Sequence, residues 1–315
     1  MNTALSRLLH RLRPRPRLSI VLIVYRMPEQ AERTLYTLAP QYQREVAESE
    51  YEVIVVENRS ERMLGATRAA RHAGNVRYFE REESQRTPVH AIAFGAEQAR
   101  GTHIAIMIDG ARMLTPGIVR LSLDAFRVRT HAAVITPGYH LGHKLQQEAV
   151  NEGYDEAVET ALLADIAWPQ DGYRLFDIAV LSGSCIDGFF LPNPESNFIA
   201  TSLARWRAIG GIDTRYDDFG GGYANIDLYK RLLEFPDTPC YLLFGEGTFH
   251  QFHGGVTTGT RGDELQRIYR LVEDQDQRLR GDERSKPDVP VIFFGTAPRQ
   301  VLRFIRHSLD QADNA

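Results

Sequence analysis

The chain has 315 residues, of which 43% are hydrophobic and 25% are charged, and its formal net charge is -4 at pH 7. This composition is that of an ordinary globular protein, and the slightly acidic balance excludes non-specific nucleic-acid binding as its main task. No apolar stretch has the length of a membrane span, and two cysteines are too few for a disulfide framework or a cysteine zinc site. We therefore expect a cytoplasmic protein without a transmembrane helix.

The leader, residues 1–17, is the first distinct segment. It contains five arginines, two prolines and several leucines. Such a segment is either a frayed, solvated terminus or a short helix that lies on an anionic membrane surface. Peripheral contact with the inner face of the membrane is therefore one expectation for this chain.

Apolar runs alternate with helical patterns over the next hundred residues. Residues 18–25, 51–56 and 104–108 are runs of the length and composition of buried strands, and a shorter one covers residues 76–79. Helical patterns at residues 29–38 and 89–99 lie between them. Strands that alternate with helices at this spacing predict βαβ units and an α/β fold with a mostly parallel, Rossmann-like sheet.

The alternation stops after residue 137. We interpret residues 138–175 as an insertion or lid over a cleft, because they contain mixed helical patterns and turn dipeptides. The later segments are predicted as strands at 176–181, 189–191, 198–203, 240–244 and 289–294, and helices at 205–209, 226–234, 264–278 and 300–309.

The apolar run at residues 104–108 ends abruptly at Asp109-Gly110. In open α/β sheets, ligands bind outside the carboxyl ends of the strands, so this carboxylate is well placed to meet a ligand or a metal. The alternative is that Asp109-Gly110 is a turn dipeptide and nothing more.

Five blocks give the chain a resemblance to a known family. In chain order they are LSIVLIVYRMPEQAERTLYTL, VIVVENRS, ARGTHIAIMIDGARMLTPG, IATSLARWRAIGGIDTRYDDFGGGYANIDLYKRL and FHQFHGG. Together they resemble the inverting family 2 glycosyltransferases of the GT-A fold. The resemblance implies a GT-A domain at residues 18–260 with a C-terminal helical extension at 261–315. It also implies a UDP- or GDP-sugar donor, a glycan or other hydroxyl acceptor, and a role in bacterial polysaccharide or glycoconjugate synthesis.

The same resemblance assigns residues to donor binding. The acid after the second strand, which touches the nucleotide in the family, corresponds to Glu57, and Arg59 follows it. Tyr25 and Arg26, at the end of the first strand, would flank the same nucleotide. The alternative is that residues 57–60 form a polar loop with an asparagine turn.

The Asp-X-Asp motif of the family, which holds a divalent cation, reads Asp109-Gly110-Ala111 here. Alanine has no donor atom, so we expect weak or absent dependence on Mn or Mg. Arg112 follows directly, and a guanidinium can pair with phosphate oxygens in place of a metal.

The late block contains two histidines. Its second histidine, which completes the metal site in some relatives, corresponds to His253, and His250 stands three residues before it. Imidazole is a good ligand for a transition metal, and it can also bond a phosphate oxygen.

The position of the general base departs from the family pattern as well. Asn225 replaces the expected aspartate, and an amide has no useful basicity, so it can only orient a substrate. Asp227 keeps its acid but falls in the first turn of a predicted helix, where a carboxylate also serves as a dipole partner. Glu195, in the loop LPNPESN, is the second candidate base.

Two other classes remain open. The first is a catalytically impaired relative that binds a nucleotide or a partner, which the replacements at Ala111 and Asn225 favour. The second is a nucleotidyltransferase, which shares the α/β scaffold but normally has a glycine-rich phosphate loop that this chain lacks after its first strand. A homo-oligomer is compatible with each class.

Overall fold

The structure is a computed structural model that describes residues 15–83, 87–217, 221–255, 262–281 and 285–315. Most of the predicted leader, residues 1–14, lies outside the described residues. The strands are β1 (Leu18–Val24), β2 (Tyr51–Asn58), β3 (Val76–Arg81), β4 (His103–Met107), β5 (Arg112–Leu114), β6 (Ala133–Ile135), β7 (Gly138–Leu141), β8 (Ala179–Leu181), β9 (Ile199–Ser202), β10 (Cys240–Phe244), β11 (Thr248–His250) and β12 (Val291–Gly295).

Eight of these strands form the central sheet, in the order β12-β10-β6-β9-β4-β1-β2-β3. β9 runs antiparallel to both of its neighbours, and the other neighbouring pairs are parallel. This confirms the predicted α/β fold with a mostly parallel sheet. β1 is buried along its whole length, and its alternate side chains enter two different cores. Burial on both faces explains why the strand is a continuous apolar run.

Helices cover the sheet. They are α1 (Pro28–Thr37), α2 (Gly65–Ala69), α3 (Val89–Glu97), α4 (Ile118–Val128), α5 (Gln146–Ala149), α6 (Glu156–Asp165), α7 (Leu203–Ala208), α8 (Ala224–Leu233), α9 (Gly262–Arg280) and α10 (Leu302–Asp313). α1 begins at Pro28, where the missing N–H is not needed. Within the described ranges, every helix is too short or too polar to cross a bilayer.

A second, four-stranded sheet has the order β5-β11-β7-β8. The sequence did not predict β5, β7 or β11, because strands of three or four residues are too short to show a period. One strand prediction was wrong, since residues 189–191 form bends. The predicted strand 176–181 is a strand only at Ala179–Leu181, and its start belongs to a 3-10 helix, Gly172–Ile178. The second sheet places Arg112 opposite His250, and His250 beside His140.

The C-terminal extension contributes more than helices. β12 pairs with β10 in parallel and forms one edge of the central sheet. From the end of α9, Arg280 pairs with Asp213 at 2.7 Å and with Asp227 at 2.5 Å. The predicted extension, residues 261–315, therefore adds an edge strand to the central sheet of the domain that precedes it.

Candidate active site

Several chain segments leave the central sheet at one edge. Met107 of β4 pairs with Leu22 of β1, and both strands run toward this edge. β9 runs the other way, with Ile199 opposite Ile106, so the residues that precede β9 lie where β4 ends. The segment that carries Asp109 and the loop that carries Glu195 consequently meet at the carboxyl edge of the sheet, where α/β proteins bind ligands.

Asp109 serves as a turn residue and also faces the site. Its Oδ1 accepts a hydrogen bond from the backbone N–H of Ala111 at 2.9 Å. Its Oδ2 points the other way, 3.1 Å from His250 Nε2 and 3.7 Å from His253 Nε2. Gly110 permits this turn, because a Cβ there would lie 2.7 Å from the carbonyl oxygen of Ile23. The two interpretations of Asp109-Gly110 are thus compatible.

The two histidines face each other as well as Asp109. Their Nε2 atoms are 3.2 Å apart, and one donor atom from each of the three residues lies within 4.8 Å of the others. His250 is buried, and Asp109 and His253 are largely so. Nitrogen lone pairs and a carboxylate oxygen that converge on one point are a donor set that fits a divalent cation such as Mn or Zn.

The protonation states of Asp109 and His250 suit the binding of a divalent cation. Burial lowers the pKa of His250 to about 4, with a further contribution from the Arg112 charge. Burial alone would raise the pKa of Asp109, but the adjacent His253 and His250 hold it well below its ordinary value. At neutral pH the site therefore contains a carboxylate anion and a neutral His250 imidazole, which are the ligand forms that metals bind.

The segment between the two histidines is held in place by hydrogen bonds to other parts of the chain. Gln251 donates its backbone N–H to Ala111 O at 2.8 Å, and Gln30 Nε2 donates to Phe252 O at 2.8 Å. Phe252 N–H donates to Glu159 Oε2 at 2.7 Å, and burial raises the pKa of Glu159 to about 7. α6, which lies in the predicted insertion, therefore helps to fix the two histidines.

Arg112 lies beside this cluster. Its Nε lies 3.6 Å from Asp109 Oδ2, and only 12% of the side chain is exposed. Within the described part of the chain, its buried Nε and Nη1 atoms have no hydrogen-bond partner. A buried guanidinium with free N–H groups beside a carboxylate and two imidazoles is suited to bind an anion such as a phosphate.

The structure brings together two of the three predicted catalytic residues. Asn225 Nδ2 donates to Glu195 Oε2 at 3.1 Å and to Ser196 O at 3.0 Å. The Asn225 amide thus fixes the loop that carries Glu195. From the sequence we expected this amide to orient a substrate. The amide N–H thus orients the Glu195 carboxylate.

Asp227 lies in different surroundings. One oxygen accepts from Arg231 at 2.8 Å and the other from Arg280 at 2.5 Å, and 4% of the side chain is exposed. Both carboxylate oxygens are therefore occupied by guanidinium groups of the protein. The geometry supports the structural alternative for Asp227.

Glu57 is similarly committed to the protein. Its oxygens accept from Leu64 N at 2.7 Å, Gly65 N at 3.0 Å and the Tyr78 hydroxyl at 2.7 Å, and the residue is fully buried. These bonds satisfy the amino end of α2 and fix the loop after β2. Contact between Glu57 and a nucleotide stays a prediction.

The other predicted donor-binding residues are on the surface of the same edge. Tyr25 is 43% exposed, and Arg26, which has a φ of 60°, pairs with Glu61. Arg59 donates to Glu80 at 2.8 Å. The Tyr25 ring is therefore exposed, with the Arg26 guanidinium carbon 6.0 Å from its centre, and both arginines have acidic partners.

Sequence reasoning missed two residues of the site, Gln146 and Glu159. Both are fully buried and contact the histidine segment. Each stands in a helix of the region interpreted as an insertion, and no motif in the sequence marks either of them.

Comparison with known proteins identifies the fold. No protein-family model matches the chain, and no curated protein matches it. Among solved structures it is similar to S. aureus TarS, with 9% identity and a TM-score of 0.50, over 87% of this chain and 40% of TarS. The chain thus spans less than half the length of TarS. This likeness and the topology show that the chain has the GT-A fold of glycosyltransferases.

Two further structures align less well. One is a fragment of S. aureus TarS in complex with UDP-GlcNAc, with 9% identity and a TM-score of 0.48, over 87% of this chain and 68% of the fragment. The other is the mannosyltransferase PcManGT from Pyrobaculum calidifontis in complex with GDP-Man and Mn2+, with 15% identity and a TM-score of 0.46, over 95% of this chain and 70% of PcManGT.

Proposed function

We propose that the chain is a metal-dependent glycosyltransferase that moves a sugar from a UDP- or GDP-sugar to a hydroxyl acceptor, with inversion. The observation that carries the proposal is the convergence of Asp109, His250 and His253 beside Arg112 at the carboxyl edge of a GT-A sheet. Three possible metal ligands and one guanidinium thus lie side by side. A bound cation and Arg112 would together neutralise the negative charge of a diphosphate.

The metal proposal departs from the expectation drawn from Ala111. That expectation rested on the missing second acid of the motif. His250 adds a third donor atom to Asp109 and His253, so the site has as many protein ligands as many catalytic metal sites. A cation bound there would supply positive charge for the diphosphate. Two imidazoles favour a transition metal such as Mn over Mg.

Glu195 is the base in this proposal. Its carboxylate removes the proton from the acceptor hydroxyl, and the acceptor oxygen forms a bond to the anomeric carbon. The bond between that carbon and the diphosphate oxygen breaks, and the nucleoside diphosphate leaves with the electron pair. Arg112 stabilises the charge that develops on the departing phosphate oxygen, and Asn225 keeps Glu195 oriented.

The remaining assignments extend the proposal to the rest of the chain. Tyr25, Arg26, Glu57 and Arg59 line or support the nucleotide, and residues 138–175 cover the cleft. The acceptor is a glycan or glycoconjugate intermediate of bacterial polysaccharide synthesis. The basic residues 1–17 would bring the protein to an anionic membrane surface where such an acceptor is made.

A catalytically impaired relative is the second candidate. It is favoured by the surroundings of the position at which the family has its base. That position holds the amide Asn225, and Asp227 in the same helix is paired with two arginines. Measurement of nucleoside diphosphate release from UDP- and GDP-sugars in the presence of Mn, with a panel of sugar and polyol acceptors, separates the two. Release that depends on the acceptor supports transfer; donor binding without release supports the impaired relative.

A further inference from the structure

We propose that Gln146 is a positioning residue that holds the His250 ring in the tautomer whose Nε2 lone pair faces Asp109 and His253. This inference rests on the proposed metal site and adds to it a residue that never touches the metal. Gln146 begins the short helix α5 and is fully buried.

Two hydrogen bonds determine which way the Gln146 amide points. Its Nε2 donates to the backbone oxygen of His250 at 3.0 Å. A carbonyl oxygen can only accept, so the opposite orientation of the amide would place two acceptors against each other. The amide oxygen therefore faces His250 Nδ1, at 2.6 Å, and Nδ1 must carry the proton.

The position of that proton decides what His250 offers to the cluster. A neutral imidazole has one N–H, so protonation at Nδ1 leaves a lone pair on Nε2. This atom lies 3.1 Å from Asp109 Oδ2 and 3.2 Å from His253 Nε2. Without the Gln146 oxygen, the proton could move to Nε2 and bond Asp109, and it would have to return to Nδ1 before His250 could bind a cation.

A second contact keeps Gln146 in place. Its backbone N–H donates to His140 Nδ1 at 3.1 Å, and His140 stands beside His250 in the second sheet. The start of α5 is thus fixed between two imidazoles of neighbouring strands. Residues that hold the far nitrogen of a ligating histidine in this way set its tautomer, and their loss lowers metal affinity about 10- to 100-fold.

The tautomer can be measured without any metal. Protein labelled with ¹⁵N histidine and stripped with EDTA is compared as wild type, Gln146→Leu and Gln146→Glu by long-range ¹H–¹⁵N correlation. We expect His250 to be protonated at Nδ1 in wild type and in Gln146→Glu, which retains an acceptor, and to lose that preference in Gln146→Leu. A wild-type His250 protonated at Nε2 overturns the proposal even if Gln146→Leu does not fold.

Titration with MnCl2 by calorimetry then tests the consequence. Gln146→Leu should bind Mn²⁺ about 10- to 100-fold more weakly than wild type. Gln146→Glu should remain within a few-fold of wild type, and Glu148→Gln, an exposed change on the same helix, should match it. Equal affinity of Gln146→Leu and wild type overturns the positioning role. If wild type binds no Mn²⁺, the metal proposal fails, while the tautomer measurement still decides the role of Gln146.

Discussion

The Asn225 amide donates a hydrogen bond to the Glu195 carboxylate over 3.1 Å, although the two residues are 30 positions apart in the chain. The bond joins the start of α8 to the loop before β9. Asn225 occupies the position at which the pattern of family 2 glycosyltransferases has an acid. In this chain the acid is Glu195, which accepts the hydrogen bond from Asn225. In our proposal the general base is therefore on the loop before β9 and not on α8.

Replacement of the base tests this assignment. Glu195→Gln should lower kcat for sugar transfer about 10²- to 10⁴-fold with little change in donor affinity, because general-base assistance contributes that much. Glu97→Gln, an exposed acid in α3, is the matched control and should keep full turnover. Full turnover by Glu195→Gln would rule out Glu195 as the base.

Asn225→Asp gives a prediction of the opposite kind. A carboxylate in place of the amide would face Glu195 Oε2 at about the same 3.1 Å separation, and two like charges so close cannot both be ionised. We expect the pH at which transfer reaches half its plateau to rise, since one proton is retained to higher pH. A large gain in turnover at neutral pH would show instead that position 225 itself supplies the base in the variant and that Glu195 does not.

The buried Nε and Nη1 atoms of Arg112, which have no hydrogen-bond partner among the described residues, predict that replacement of Arg112 weakens diphosphate binding. Arg112→Met should weaken binding of UDP or GDP about 10- to 150-fold, the equivalent of roughly 1.5–3 kcal/mol for a charge-assisted bond, and Arg112→Lys should recover part of the loss. Binding of the nucleoside without phosphate should not change. Unchanged diphosphate affinity would contradict the assigned role.

Asp227 is expected to act in stability and not in proton transfer. Asp227→Asn removes the carboxylate that Arg231 and Arg280 share, so that Arg231 loses this charge partner while Arg280 keeps Asp213. Chemical denaturation should therefore show a loss of about 1.5–3 kcal/mol in the free energy of unfolding. Folded Asp227→Asn protein should keep kcat within a few-fold of wild type. Unchanged stability together with lost turnover would restore Asp227 as the base.

His103 provides a prediction for pH. The ring stacks on Phe126 at 4.0 Å, and burial lowers the pKa of His103 below its ordinary value of 6.5. Below pH 6.5 the unfolded chain takes up this proton while the folded chain does not, so the free energy of unfolding falls as the pH falls. Thermal unfolding of wild type and His103→Phe between pH 8 and pH 5 measures the effect. The Tm of the variant relative to wild type should rise toward pH 5, and a constant difference would exclude His103 as the source.

The elements predicted best from the sequence are those whose burial leaves a periodic or continuous apolar pattern. β1, β2 and β4 were predicted within one or two residues at each end, because strands covered on both faces tolerate few polar residues. β5, β7 and β11 were missed, since three or four residues carry no period. The second sheet, which brings Arg112 to His250, could not be foreseen as a result.

The site was predictable only where a motif marks it. Asp109 stands at the end of an apolar run, and His250 and His253 came from the resemblance to a family. Their approach to within 3.1 to 3.7 Å depends on β11 lying beside β5. Gln146 acts through contacts that are distant in sequence and leave no local signature.

Calorimetry with UDP, GDP, ADP and dTDP, first with MnCl2 and then after EDTA, tests the central claim most directly. We predict saturable binding of UDP or GDP that needs Mn²⁺ and is weakened at least tenfold by EDTA, and that Asp109→Asn and His253→Ala lose this dependence on metal. Saturable binding that EDTA does not change would contradict the metal site, and the absence of saturable binding for all four nucleotides would contradict the nucleotide-sugar function itself.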